Sequence, residues 1–228
     1  MSEANTLEVF HYISAKWGVE ALSRGRLKLA TLEDMNDPFE LRAFNTGAKE
    51  LRKFINDRRD IANSQIGFLC FCPTWQNSIM WSHYADRHRG MVLGFRVSSA
   101  RLFEIPYIKD RLDFFGEAGK SSSRTDNFTT RQFAKHESWA YEQENRLVVN
   151  LVDRQPENEM YFCEFGDELK LSSIYLGERF SASEVEVRAL SSVREAKIEP
   201  IQTRLAFKSF EVVKQRLTRS HKSRGQAL

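Results

Sequence analysis

The stretch EVFHYISAKWGVEALSRGRLKLA, residues 8–30, decides the fold class. Glu8 to Ile13 is rich in aromatic and β-branched residues and reads as a strand. Ser14 has the type and position of a helix N-cap, and Ala15 to Leu22 forms a short helix behind it. Gly25 stops that helix, because glycine takes a left-handed C-terminal position without a Cβ clash. Leu27 to Ala30 is a second strand. Working outward, further strands are predicted at Gln65–Cys72, Met91–Val97, Arg146–Val152, Lys170–Leu176 and Ala196–Gln202. Helices are predicted at Leu51–Ala62, Asn77–Asp86, Phe128–Glu137 and Ser183–Ala196, with a basic helix at the end and a loop over 116–127. Strands and helices that do not alternate strictly predict an α+β fold, with mixed or antiparallel central sheets and peripheral helices.

With 41% hydrophobic and 29% charged residues, the chain has the composition of a folded globular protein. Its 228 residues, without repeats or a Pro/Gly linker, suit one α+β domain over 1–203 followed by a basic helix or tail over 204–228. No run approaches the ~20 apolar residues of a membrane span, so no membrane role is expected. Met1 to Thr6 lacks a basic start and an apolar segment, and Cys70, Cys72 and Cys163 are an odd set. A reduced, cytoplasmic compartment is therefore expected. Cys70-Phe71-Cys72 lacks the spacer of a zinc site, so buried free thiols and no metal are expected. Phosphate-loop, dinucleotide-fingerprint and hydrolase-elbow signatures are absent.

The net charge of +3 is unevenly spread. From residue 204 onward Arg204, Lys208, Lys214, Arg216, Arg219, Lys222 and Arg224 face Glu211 alone. Such a segment can contact nucleic-acid phosphates, or it is simply a solvated chain end.

Four clusters carry chemistry, each beside a plainer reading. His11-Tyr12-Ile13-Ser14 sits at a strand-to-helix junction, where an imidazole can bond a ribose or amide, or do nothing specific. Asn36-Asp37-Pro38-Phe39-Glu40 has turn chemistry that accounts for its residue types, although Asn36 or Asp37 can also meet a ligand. In Trp81-Ser82-His83-Tyr84-Ala85, with His88 and Gly90 beyond, helical spacing offers either an aromatic platform with polar edges or an ordinary core face. Trp81 is expected in the core and His83 or Tyr84 at the cleft. Lys135, Trp139 and Tyr141-Glu142-Gln143-Glu144-Asn145-Arg146 lead into an apolar strand. Glu142, Glu144 and Arg146 alternate onto one face if the strand has already begun there, as a site for a developing cation or as a surface ladder of ion pairs.

The order of these clusters resembles a bacterial family known as domain of unknown function 2971. The matching motifs are Asn36 to Glu40, Trp81 to Ala85 with His88 and Gly90, and Trp139 to Arg146 with Lys135 upstream. The resemblance covers about residues 8 to 180, and Asn145 departs from it where many members carry an aromatic residue.

More distantly, the opening strand, helix and strand resemble NAD-dependent ADP-ribosyltransferases, including enzymes that modify DNA or RNA. That resemblance implies NAD as co-substrate and a transferase fold and activity, in a toxin or phage-defence effector that can be paired with an antitoxin. It implies that His11 holds the adenosine ribose, that Tyr84 (or Ser82) stacks on nicotinamide, and that Glu144 stabilises the ribosyl cation and holds the ribose 2′-hydroxyl. Tyr12, Ser82, His83 and Arg146 join the expected NAD-binding set. Glu142, Asn36 and Lys135 are expected toward the acceptor, with Arg146 or Lys135 on pyrophosphate. The competing readings are a noncatalytic module that binds a nucleotide or nucleic acid, and a carboxylate- and His-dependent hydrolase or nuclease.

Overall fold

Helix α1 (Ala15–Arg24) buries Gly18, Ala21 and Leu22, the three- and four-residue spacing of one helix face, against the sheet. It ends where Gly25 adopts φ +66° and its N–H bonds Ala21 O. The strands on either side, β1 (Thr6–Ile13) and β2 (Arg26–Leu29), join different sheets. The computed structural model describes residues 5–114, 131–181, 186–187 and 190–216; the expected loop over 116–127 lies outside them.

The remaining elements follow in chain order. They are α2 (Lys49–Gln65), β3 (Ile66–Phe71), α3 (Ser78–Tyr84), β4 (Met91–Ser98), β5 (Leu102–Glu104) and β6 (Tyr107–Ile108). Then come β7 (Lys135–His136), β8 (Asn145–Asn150), β9 (Tyr161–Glu164), β10 (Lys170–Leu176), α4 (Ser191–Ala196), β11 (Ile201–Leu205) and β12 (Val212–Lys214). The architecture is α+β, with few helices.

A five-stranded sheet has the order β1-β4-β10-β11-β12, antiparallel except for the parallel β10–β11 pair. A three-stranded antiparallel sheet has the order β3-β8-β5, and β2–β9 and β6–β7 form two-stranded pairs. The period of two along β1 divides its side chains between cores. Val9 enters one cluster with Leu93, Phe95 and Leu147, while Phe10 and Tyr12 enter another with Trp81 and Tyr175. A third cluster, around Phe68 and Phe133, lies under the turn that follows β2.

Three expectations are corrected. Helix is absent over 135–137, where Lys135–His136 pairs with β6 and a 3-10 turn spans Glu137–Glu142; residues 128–130 lie outside the described set. The basic helix or tail expected over 204–228 is, over its described residues 204–216, part of the hairpin of β11 and β12, in which Val212 and Thr203 are buried against the sheet. Helix α3 ends at Tyr84 rather than Asp86, because Asp86, Arg87 and His88 all take positive φ (45°, 54° and 67°). Gly90 completes that reversal: a Cβ there would lie 2.2 Å from the Ile13 carbonyl. Among the described residues no helix is long and apolar enough to cross a membrane.

Candidate functional site

Strand β1 meets the end of β3 through one bridge only, Phe10 N to Cys72 O and Cys72 N to Phe10 O, each 2.8 Å. One residue further along β1, a side chain replaces the backbone donor. His11 Nδ1 lies 2.9 Å from Cys70 O. Where ladder pairing stops, a cleft of about 360 Å³ opens between the two sheets, within the range of small-molecule sites.

The His11 bond fixes its chemistry. A carbonyl only accepts, so Nδ1 carries the proton and donates. Burial lowers the pKa of His11, outweighing the Cys70 contact, so the ring is neutral and Nε2 keeps an acceptor lone pair.

Tyr84 enters from the end of α3. Asn77 caps that helix, accepting from Ile79 N (3.0 Å) and Met80 N (3.4 Å), and donates from Nδ2 to Tyr141 O at 2.9 Å. One residue therefore ties α3 to the 3-10 turn that carries Glu142. At the other end of α3, Tyr84 Oη donates to Glu142 Oε1 and accepts from Asn36 Nδ2 at 2.6 Å. A ring line therefore enters the cleft with its hydroxyl held from both sides. Burial, then the Glu142 carboxylate, raise the Tyr84 pKa, so the hydroxyl keeps its proton.

Gln143 is left-handed, with φ +46°. That reversal between Glu142 and Glu144 lets both carboxylates reach Lys135, whose Nζ is 2.7 Å from an Oε2 of each. Burial opposes the lysine's charge, but Glu144 and Glu142 outweigh it and raise its pKa. Glu144 and Arg146 are two apart and share a face, with Nε 2.5 Å from Oε1 and Nη2 3.1 Å from Oε2. Burial would raise the Glu144 pKa, but Arg146 and Lys135 overcome it and hold the carboxyl at about 2. Arg146 also grips Glu40 and lies 5.4 Å from the Phe68 ring.

The structure thus joins Glu40, Arg146, Glu144, Lys135, Glu142, Tyr84 and Asn36 in one continuous polar chain. Glu40, Lys135, Glu142, Glu144 and Arg146 are all buried. Their three carboxylates and two cations leave one formal negative charge beside the cleft.

Among the residues the sequence singled out, His11, Tyr12, Asn36, Tyr84, Lys135, Glu142 and Glu144 line this one cleft. Tyr12 lines it with its hydroxyl already committed, donating to Thr74 O at 2.9 Å. Three residues expected at NAD lie elsewhere. Ser82 is exposed and donates to Ser78 O at 3.0 Å, the back-bond of a helical serine. His83 is exposed, with Nδ1 3.1 Å from Tyr141 Oη. Arg146 is 0% exposed with its guanidinium engaged by two carboxylates, and it does not reach a pyrophosphate. Trp81 is fully buried and donates to Trp75 O at 2.7 Å, as its size demands.

The sequence also missed lining residues. Cys70 and Cys72 line the cleft as free thiols, Cys72 buried as expected but Cys70 only half-buried. Burial, then the Glu144 charge, push the Cys70 thiol up, and burial pushes Cys72 to about 11, so neither is an activated nucleophile. Asp34 and Lys28, an ion pair at 2.8 Å, also border the cleft. The available signal was the two-residue period of β3, which puts Cys70 on the face of Arg146 across the ladder. Among the described residues, no group of three or more His, Cys, Asp and Glu is arranged to hold a metal ion.

A family model described as Protein of unknown function (DUF2971) matches residues 80–147, the span that supplies Tyr84, Lys135, Glu142 and Glu144. No curated protein matches the chain, and no solved structure does.

Proposed function

We propose that this protein is an NAD-dependent ADP-ribosyltransferase with an ADP-ribosyltransferase-like fold. The observation that carries the reading is the meeting of His11 from β1, Tyr84 from α3 and Glu144 from just before β8 in one cleft. NAD is the substrate of this site. The neutral His11 has an Nε2 lone pair for a hydroxyl of the adenosine ribose. The Tyr84 ring, with its hydroxyl anchored by Asn36 and Glu142, offers one fixed face for nicotinamide.

In the reaction the nicotinamide–ribose C–N bond breaks, and its electron pair leaves on nicotinamide. The acceptor's lone pair forms the new bond at the same carbon, and its proton passes to Glu142. Positive charge on the ribose grows beside a preorganised cluster with one formal negative charge, in which Glu144 is ionised and held still. Lys135 positions both carboxylates rather than gripping pyrophosphate. A toxin or phage-defence role, with an antitoxin to restrain it, fits such a modifying activity.

Incubation with adenylate-labelled NAD and cell extract, followed by nuclease or protease digestion, tests the reading. Transfer of label that is lost in Glu144→Gln supports it. A wild-type protein that neither binds NAD nor transfers label, across protein, DNA and RNA acceptors, overturns it.

One observation favours a second reading, a noncatalytic nucleotide-binding module. Both oxygens of Glu144 already accept from Arg146 or Lys135, which dilutes the charge available to a transition state. In that case ligand binds to the wild type and no product forms.

A further inference from the structure

The β11–β12 hairpin ends in a four-residue loop, Phe207-Lys208-Ser209-Phe210, closed by Ala206 N to Glu211 O at 2.9 Å. Its two rings are 89% and 99% exposed, the most exposed large apolar side chains among the described residues. Beside them a groove of about 430 Å³ is lined by Arg204, Phe207, Lys208, Lys214 and Arg216, without a carboxylate. None of these four cations pairs with an acid among the described residues. The Arg204 guanidinium sits 4.3 Å from the Phe207 ring centre, and Lys214 Nζ lies 5.8 Å from the Tyr175 ring.

We propose that this hairpin tip binds single-stranded nucleic acid. Base stacking on exposed rings, with cations for the intervening phosphates, is the chemistry of sequence-tolerant strand binding. Phe207 and Phe210 each offer a face for a base, and Lys208 between them meets the phosphate that links two stacked nucleotides. A lipid surface suits the tip less well, because inserting both rings would carry the Lys208 ammonium toward the apolar layer with them.

The hairpin is rigidly joined to the cleft's framework. Val212 N donates to Gln76 O at 2.9 Å, and Glu211 bridges Asn77, the cap of α3. Helix α3 has seven residues, about 10 Å at 1.5 Å per residue, and its last residue is Tyr84 in the cleft. The hairpin is thereby tied to the element that carries Tyr84 into the cleft. This inference names the acceptor class of the proposed transferase and in that sense rests on that reading, although binding itself does not require NAD.

The test uses the full chain without NAD. Fluorescence anisotropy is read with labelled oligo(dT) and oligo(rU) of about 20 nucleotides, longer than the ~4–16 that such grooves cover, and with a duplex of the same length. Sedimentation with phosphatidylcholine–phosphatidylserine vesicles is read in parallel. Wild type is expected to prefer single strands to duplex. The double variant Phe207→Ala/Phe210→Ala is expected to keep its thermal midpoint and to bind single strands at least tenfold more weakly. Lys208→Glu is expected to weaken binding and flatten the salt dependence.

Single-strand affinity unchanged in the double ring variant overturns the proposal. So does a wild type that binds no oligonucleotide, one that binds vesicles alone, or one whose rings serve only to form a dimer. Ring-dependent strand binding without any NAD cleavage leaves the hairpin site standing and overturns the transferase reading instead.

Discussion

Arg146 reaches Glu40 across 106 residues of sequence by two parallel hydrogen bonds, Nη1 to Oε1 at 2.6 Å and Nη2 to Oε2 at 2.9 Å. Both side chains are buried, and the guanidinium lies 5.4 Å from the Phe68 ring centre and 5.9 Å from that of Phe133. A planar fork matched to a carboxylate is the geometry at which an arginine is not replaceable by lysine. The pair fastens the Asn-Asp-Pro turn, which carries Asn36, to the strand that follows Glu144. Its role is to hold the cleft's two walls in register.

Removing one partner leaves a buried charge without compensation, which costs about 3–5 kcal/mol. Arg146→Met is therefore expected to lose that much stability, because it strands Glu40 and leaves Glu144 with Lys135 as its one remaining cation. Adding Glu40→Leu to that variant is expected to recover part of the loss. Urea unfolding of the variants checks this. A loss under about 1 kcal/mol for Arg146→Met would show that water reaches the network in solution.

Glu144 gives stability a specific acid dependence. Its folded pKa, about 2, lies below that of an unfolded glutamate, so the unfolded chain binds more protons between the two values. The stabilisation is complete above the unfolded pKa of about 4.3 and is lost as pH falls toward 2. Unfolding midpoints measured between pH 6 and pH 2 should fall in this window in the wild type. The fall should be shallower in Glu144→Gln, compared with that variant's own value at neutral pH. Equal slopes in both proteins would assign the acid sensitivity to other carboxylates.

Much of the scaffold was legible in residues whose local chemistry decides their conformation. Gly25 marked the end of α1, and the runs at 65–72 and 91–97 marked β3 and β4 to within a residue at each end. His11, Tyr84 and Glu144, singled out in three separate motifs, line one cleft. Harder to read were features set by distant partners. Glu40 looks like any turn-flanking acid until Arg146 is folded against it. The alternation expected at Glu142, Glu144 and Arg146 failed at Gln143, whose positive φ no glycine or asparagine announces. The basic segment from 204 misled because charge says nothing of period, and buried Val212 and Thr203 mark the hairpin only once β10 lies beside it.

His11 should titrate below the usual histidine value of about 6.5, since burial disfavours its imidazolium. Its resonances, assigned by difference with His11→Asn, are expected to report a neutral ring protonated on Nδ1 at pH 6.5. The sign for stability follows. The unfolded histidine protonates first as pH falls, so His11 opposes folding increasingly below about 6.5. An imidazolium at pH 6.5, or a neutral ring protonated on Nε2, would remove the acceptor lone pair assigned to the ribose.

Two substitutions at Tyr84 separate its hydroxyl from its ring. Tyr84→Phe keeps the ring but strips a donor from Glu142 and an acceptor from Asn36, both within the cleft wall. Leaving such groups short of a partner costs about 1–3 kcal/mol, so a stability loss of that size is expected. Affinity for NAD should change little, because a stacking face survives. Tyr84→Ala removes the face as well and should weaken NAD binding by about tenfold, as loss of an aromatic contact of about 1–1.5 kcal/mol implies. Calorimetric titration with NAD, set beside thermal unfolding of each variant, reads the two effects apart. If Tyr84→Ala binds NAD as tightly as wild type while losing stability, the ring is a wall of the fold, and nicotinamide stacking must be sought on another residue of the cleft.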